Sequence, residues 1–451
     1  SGTDSITATG GTNVIDGGAD NDTITLNDGT NTVTGGAGTD TISATSGHNT
    51  IDAGDDADVI TLSGGNNSVQ GNSGTDSITS NGGTNVIDGG VDNDTITLNA
   101  GTNTVLGGAG TDTIIAVSGN NTIDAGDGAD VITLSGGTNT VQGNTGTDSI
   151  TATGGTNVID GGADNDTITL NDGTNTVLGG AGTDTITAVS GNNTIDAGDG
   201  ADVITLSGGN NSVQGNTGTD SITATGGSNV IDGGADNDTI TLNDGTNTVN
   251  AGAGDDSLTA TGGDNTIDSG AGLNVITLDG GNNSVTGGAD ADTITTTSGT
   301  NIIHAGEGTD TIQLNGGVNT VNAQAGVDTI TASSGQNVID AGDAADVITL
   351  SGGFNTVQGN SGTDTFTVSG GTNVIDGGAD NDTITLNDGL NTIDGGVGTD
   401  TISATSGQNV IDAGDDADVI TLSGGFNTVQ GNSGTDSITA TGGSNVIDGG
   451  A

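Results

Sequence analysis

Asp22-Thr23-Ile24-Thr25-Leu26-Asn27-Asp28-Gly29-Thr30-Asn31-Thr32-Val33-Thr34-Gly35-Gly36-Ala37-Gly38-Thr39 is one full period of this chain, and Asp40 opens the next. Ile24 and Leu26 stand two apart, so both face one side of a short strand while Thr23 and Thr25 face the other. A second apolar position follows nine residues after Ile24, at Val33, again flanked by Thr. Between these strands lie Gly, Asn and Asp, the residues that accept positive φ in tight turns. One period therefore reads as strand, turn, strand, turn. No 3.6-residue periodicity supports a helix.

The period holds along the whole chain. Stepping by 18 from Asp4 gives 25 positions, of which 24 are Asp and one is Asn274. The same step from Asn13 meets Asn at all 25 positions to Asn445, with a Gly two residues before each. The column through Ile6 and Ile24 is Ile except at Leu258 and Phe366, and the column through Ile15 and Val33 is always Val or Ile. A disordered low-complexity tract has no physical reason to keep such phase, whereas stacked coils do. The expectation is an all-β, parallel β-solenoid of 25 coils, each with two short strands and two turns.

Residues 1–451 read as a single continuous repeat region. Asn72, Asn144, Asn216, Asn360 and Asn432 replace a turn Gly at steps of 72 residues or multiples of it, marking a superrepeat of four coils. The block around 233–330 diverges, with Asn274, His304, Glu307 and Gln324. The chain starts and stops inside a repeat, which reads as a stretch of a longer protein.

Composition narrows the function. There are 58 acidic residues and no Lys or Arg, for a formal net charge of −58. That excludes electrostatic binding to nucleic acid or to an anionic membrane. No stretch is apolar enough to insert into a bilayer. Cys is absent, so no disulfide staples the coils, and the two His are far apart. With no nucleophile–base pairing, phosphate loop or zinc spacing, an enzyme is not expected.

The acids are not scattered. All but Asp28, Asp172, Asp244, Asp264, Asp279 and Asp388 fall in one seven-residue stretch of the coil, equivalent to residues 16–22. One edge of the solenoid is thus a carboxylate ladder and the other an Asn/Gly ladder. Carboxylates one coil apart, about 4.8 Å, repel by about 3 kcal/mol per pair at an effective dielectric near 20. Protonation or a bound cation could relieve this. A hard cation fits the donors better, because Asp carboxylates and Gly-rich carbonyls suit Ca²⁺ while Mg²⁺ demands a tight octahedron. A chain this polar buries few apolar groups per coil, so it is expected to be largely unfolded without calcium.

Gly35-Gly36-Ala37-Gly38-Thr39-Asp40-Thr41-Ile42-Ser43 resembles the Gly-Gly-x-Gly-x-Asp-x-aliphatic-x nonapeptide of RTX calcium-binding repeats. Gly107 to Asp112 and Gly179 to Asp184 repeat it, and the other acidic turns depart from it modestly, as with Asp20 in place of the fourth Gly. The resemblance implies that Asp side chains and turn carbonyls of successive coils clasp Ca²⁺, about one ion per coil. It assigns metal binding to Asp4, Asp22, Asp40, Asp58, Asp76, Asp94, Asp112, Asp130, Asp148, Asp166, Asp184 and Asp202. The same column continues through Asp220, Asp238, Asp256, Asp292, Asp310, Asp328, Asp346, Asp364, Asp382, Asp400, Asp418 and Asp436. Turn residues Asp20, Asp56, Asp92, Asp164, Asp236, Asp380 and Asp416 join them. The opposite half-coil, Gly29-Thr30-Asn31-Thr32-Val33, lacks the Asp, which is similar to RTX adhesins with calcium along one edge.

The function this implies is a calcium-stabilised structural rod, secreted or at the cell surface. It would extend a large bacterial-type adhesin or assemble into an extracellular filament, with other copies or neighbouring solenoid segments as partners. Binding of ice or a carbohydrate target along the Thr/Asn columns is the first alternative. The C-terminal repeat block of a secreted RTX toxin or enzyme is the second. The Asn column reads as a structural amide ladder. His48 and His304 read as incidental, and Phe354 and Phe426, in the exposed turn, as contact points for a partner or as incidental variation.

Overall fold

The computed structural model describes residues 1–451 and contains 50 strands and no helix. Two compact units, Ser1–Ile222 and Thr223–Ala451, share one architecture. Each is a parallel β-solenoid with two strands per 18-residue coil, giving about 25 coils in the chain.

The first strand of a coil has four residues, such as Thr23–Leu26, and pairs in parallel with its counterpart one coil on: Thr23 with Thr41, Ile24 with Ile42, Leu26 with Ala44. The second strand is longer than the expected short element. In most coils it has eight residues, such as Thr30–Ala37, because parallel pairing continues through the glycines to Gly36 with Gly54 and Ala37 with Asp55. It shortens to five residues in coils such as Asp264–Asp268, Gln336–Asp340 and Phe426–Gln430.

Burial follows the alternation of side chains on each strand. Ile24 and Leu26 are fully buried, as are Val33 and the Asn31 beside it, while Thr30 and Thr32 are exposed. The interior is thus a stack of narrow apolar layers, each supplied by two strands. Stacking sizes are regulated in the Leu26 column. Leu26, Leu62, Leu98, Leu134 and Leu170 alternate with Ala44, Ser80, Ala116 and Ala152, so every Leu lies between two smaller side chains. The second unit repeats this with Leu242, Leu278 and Leu314 against Ala260, Thr296 and Ala332. In this column close packing is met by alternating large and small side chains, whereas the Ile24 column stacks Ile on Ile. Ser80 is accommodated because its hydroxyl accepts from Asn85 and donates to Asn103.

The Asn edge is a hydrogen-bonded ladder. Asn31 Nδ2 donates to Asn49 Oδ1 at 2.7 Å, Asn49 to Asn67 at 2.7 Å, and each amide also reaches a carbonyl three residues earlier, as Asn49 does to Ser46. Both amide hydrogens are donated and the amide oxygen accepts the next amide, so these side chains are spent on the ladder. The superrepeat Asn residues serve a different end. Asn72 holds a left-handed turn position with φ of 75° and donates to Asp52 Oδ1 at 2.7 Å, and Asn144 does the same to Asp124 at 2.5 Å.

Candidate metal centre

At the acidic edge the Asp column turns inward. Asp40, Asp58, Asp76 and Asp94 are at most 1% exposed, although each carries a carboxylate. One oxygen of each is accounted for by the backbone of the preceding coil: Asp4 N–H donates to Asp22 Oδ1 at 2.6 Å, Asp22 to Asp40 at 2.7 Å, and Asp40 to Asp58 at 2.7 Å. In the second unit the same chain runs from Asp292 to Asp310 at 2.8 Å and on to Asp418 and Asp436 at 3.1 Å.

The other oxygen has no hydrogen-bond partner. From Asp22 through Asp202 in the first unit, and at Asp256 and from Asp292 through Asp436 in the second, Oδ2 is buried and unbonded. A buried unpaired charge is among the most costly features a fold can carry, and the chain has no Lys or Arg to offset it. The carboxyls respond accordingly. Asp58, Asp94, Asp148, Asp346 and Asp382 are pushed up to about 7, and Asp76, Asp130, Asp310 and Asp364 to about 6. Burial is the main cause; the amide of the preceding coil opposes it. At Asp58 the neighbouring Asp76, Asp40 and Asp56 carboxylates raise the pKa further.

In the glycine-bearing coils each orphan oxygen faces a small cradle left by that glycine. A Cβ placed on Gly17 would lie 2.5 Å from Asp22 Oδ2 and 2.7 Å from the carbonyl oxygen of Gly35 in the next coil. On Gly89 it would lie 2.4 Å from Asp94 Oδ2 and 2.5 Å from Gly107 O, and on Gly161 2.5 Å from both Asp166 Oδ2 and Gly179 O. One carboxylate and one carbonyl, from successive coils, thus stand side by side against the glycine, and both are hard oxygen donors of the kind Ca²⁺ takes. These donors fit calcium: hard oxygens, one formally anionic, in a chain with no competing cation. No group of three or more His, Asp or Glu side chains converges anywhere, so backbone carbonyls must supply part of any coordination shell. In some coils Ala replaces the glycine, as at Ala53 and Ala125, yet Asp58 and Asp130 keep the orphan oxygen. An ion bound there would supply the positive charge that the buried carboxylates lack.

The turn acids assigned alongside the main column sit differently. Asp20, Asp56, Asp92, Asp164, Asp236, Asp380 and Asp416 all adopt left-handed φ between 75° and 80°. The Oδ2 of Asp20 accepts from Gly2 N–H at 2.8 Å, that of Asp56 from Gly38 at 3.1 Å, and that of Asp164 from Gly146 at 3.2 Å. These side chains tie a turn to the preceding one and stand outside the buried cradle, exposed to solvent. His48 and His304 are exposed on the second strand, His48 at its start and His304 at the position that Asp16 and Asp52 hold in other coils.

One residue that sequence reasoning passed over belongs to this edge. Ser269 is the single hydroxyl residue in the Gly17 column, and it falls in the coil that ends at Asn274. Its Oγ donates to the Gly287 carbonyl oxygen at 2.6 Å. The signal was the coincidence of two unique substitutions five residues apart.

The comparison with curated proteins returns no match. Among solved structures, a hyperactive, Ca²⁺-dependent, β-helical antifreeze protein from an Antarctic bacterium is similar at 20% identity, over 61% of this chain and 79% of that one, with a TM-score of 0.33. The family model for the RTX calcium-binding nonapeptide repeat matches in overlapping stretches from residues 1–33 and 34–69 through to 422–451, leaving no part of the chain uncovered. The chain belongs to the RTX calcium-binding nonapeptide repeat family.

Proposed function

We propose that this chain is a calcium-stabilised structural element of a secreted or cell-surface protein, the extender of a large adhesin or of an extracellular filament. The observation that carries this is the repetition of one buried, unbonded carboxylate oxygen in coil after coil of both units. A fold built on so many cation-dependent contacts is unstable where calcium is scarce, as in cytosol, and stable where it is abundant, outside the cell. Near-identical coils supply length and stiffness rather than one unique pocket. The unbroken 18-residue phase across the sequence favours treating both units as one repeat region, with ions held along the Asp edge at about one per coil. Small-angle scattering with calcium and with excess chelator tests this. An extended, folded particle is expected only with calcium; the same dimensions in chelator sink the reading.

A carbohydrate-binding role along the second strand is the further reading with an observation behind it. In the second unit, Val318, Phe354, Leu390 and Phe426 occupy one exposed column at every second coil, and Val338, Val374, Val410 and Val446 fill the intervening coils two residues further along the strand. Phe354 and Phe426 are 65% and 68% exposed. This zigzag of apolar groups is interleaved with Gln336, Thr356, Thr392 and Gln408, which offer hydrogen bonds without charge. The projecting rings interrupt the flat Thr array that ice recognition requires and suit the apolar faces of a neutral sugar chain. Affinity electrophoresis in hydroxyethylcellulose with calcium present tests it. Retardation of the native chain, lost in Phe354→Thr/Leu390→Thr/Phe426→Thr, is expected; equal mobility of both chains rules it out.

A further inference from the structure

We infer that the coil ending at Asn274 is a neutral joint in the calcium array, built to stand without an ion; this rests on the calcium reading above. Every described position of the Asp column other than Asn274 is Asp, and the exception is chemically complete. Asn274 Oδ1 accepts the Asp256 N–H at 2.9 Å, taking the place that an Asp Oδ1 takes in other coils. Where Asp leaves its second oxygen buried and unbonded, Asn274 presents an NH₂ that donates to Gly272 O at 3.3 Å. The register is undisturbed, because the Asn274 N–H still reaches Asp292 Oδ1 at 2.9 Å.

The cradle of this coil is closed as well. At the Gly17 position stands Ser269, fully buried, with its hydroxyl donating to Gly287 O at 2.6 Å and touching Thr286 O at 3.3 Å. Gly287 O corresponds to the Gly35 carbonyl that faces the Gly17 cradle. A hydroxyl hydrogen thus meets the carbonyl that elsewhere faces the open cradle, and an amide replaces the carboxylate. Ala-bearing coils do not share this property: Ala53 narrows the cradle, but Asp58 keeps its unbonded oxygen, so the need for a cation persists. Only the Ser269–Asn274 coil removes the anion, fills the space and satisfies the polar atoms together.

Native mass spectrometry of the full chain saturated with calcium counts the ions directly. The variant Ser269→Gly/Asn274→Asp, which restores the common pair, is expected to hold one more calcium than the native chain. The reverse transplant one coil on, Gly287→Ser/Asp292→Asn, is expected to hold one fewer, and it keeps the inference testable should the first variant fail to fold. Equal ion counts for the native chain and a folded variant of either kind overturn the neutral joint while leaving the calcium reading intact. No retained calcium on any of the three chains overturns the calcium reading itself, and the joint with it.

Discussion

Removing calcium at neutral pH should unfold both units, and acid should restore what chelation takes away. In residues 1–222, Asp58, Asp94 and Asp148 have carboxyls raised from 3.8 to about 7, and Asp76, Asp130, Asp166 and Asp202 to about 6. Their folded pKa values lie above the unfolded one, so the metal-free fold binds protons that the unfolded chain releases. The contribution of each group is fully favourable below about pH 4 and is lost as the pH rises through about 6 to 7. Each raised carboxyl then weakens the metal-free fold at neutral pH by about 3–4 kcal/mol. A modest fraction of that, over seven groups, equals the 5–15 kcal/mol by which a typical fold exceeds its unfolded state. Calcium at these carboxylates would reverse the balance by stabilising the ionised form. Far-ultraviolet circular dichroism across a pH titration, once in chelator and once in excess calcium, reads this out. In chelator the β signal should be present in acid and vanish toward neutrality; in calcium it should persist at neutral pH. A chelated chain that keeps its full β signal at neutral pH, with no dependence on acid, would falsify the account of the Asp column.

Three further outcomes follow from individual positions. Gly36→Ala places a Cβ 1.9 Å from the Gly18 carbonyl oxygen at a φ of +121°, and should cost about 2 kcal/mol or more, read as a lowered melting temperature in calcium. Asn103→Ala interrupts the amide ladder, stranding Asn121 Oδ1, 2.8 Å from its donor, and removing the acceptor of the Ser80 hydroxyl at 3.1 Å, and should cost about 2–3 kcal/mol in the same assay. Phe354→Thr removes a ring that is 65% exposed and installs the residue found one coil later at Thr372, so stability should change by less than about 0.5 kcal/mol.

The coil and its two unlike edges were legible in the sequence because each depends on a period. Ile24, Asn31 and Asp40 recur at one spacing, and stacking in parallel register is the physical arrangement that makes such recurrence useful. What a period does not reveal is where a side chain points. Asp22 and Asp20 are neighbours of the same type in the same turn. The first turns inward and keeps an unbonded oxygen; the second, at positive φ, caps an amide of the preceding coil. Telling them apart requires backbone conformation, since Asp and Asn tolerate the left-handed region that excludes most other residues. The length of the second strand was hidden for a related reason: glycines read as turn residues, yet Gly36 still pairs with Gly54 because its stacked neighbours leave no room for anything larger. Ser269 escaped notice because its meaning lies in a bond to Gly287, eighteen residues away.

The Leu–small alternation of the core bears on how such a chain can lengthen. Duplicating one coil would set Leu26 beside another Leu, or two alanines together, and either junction would break the alternation that packs this column. Duplicating two coils returns the same pair of sizes and is silent to the packing. Gene segments encoding 36 residues, or the 72 of the superrepeat, are therefore the smallest pieces that recombination can add or delete without a structural scar. Length variants of this region should differ by an even number of coils.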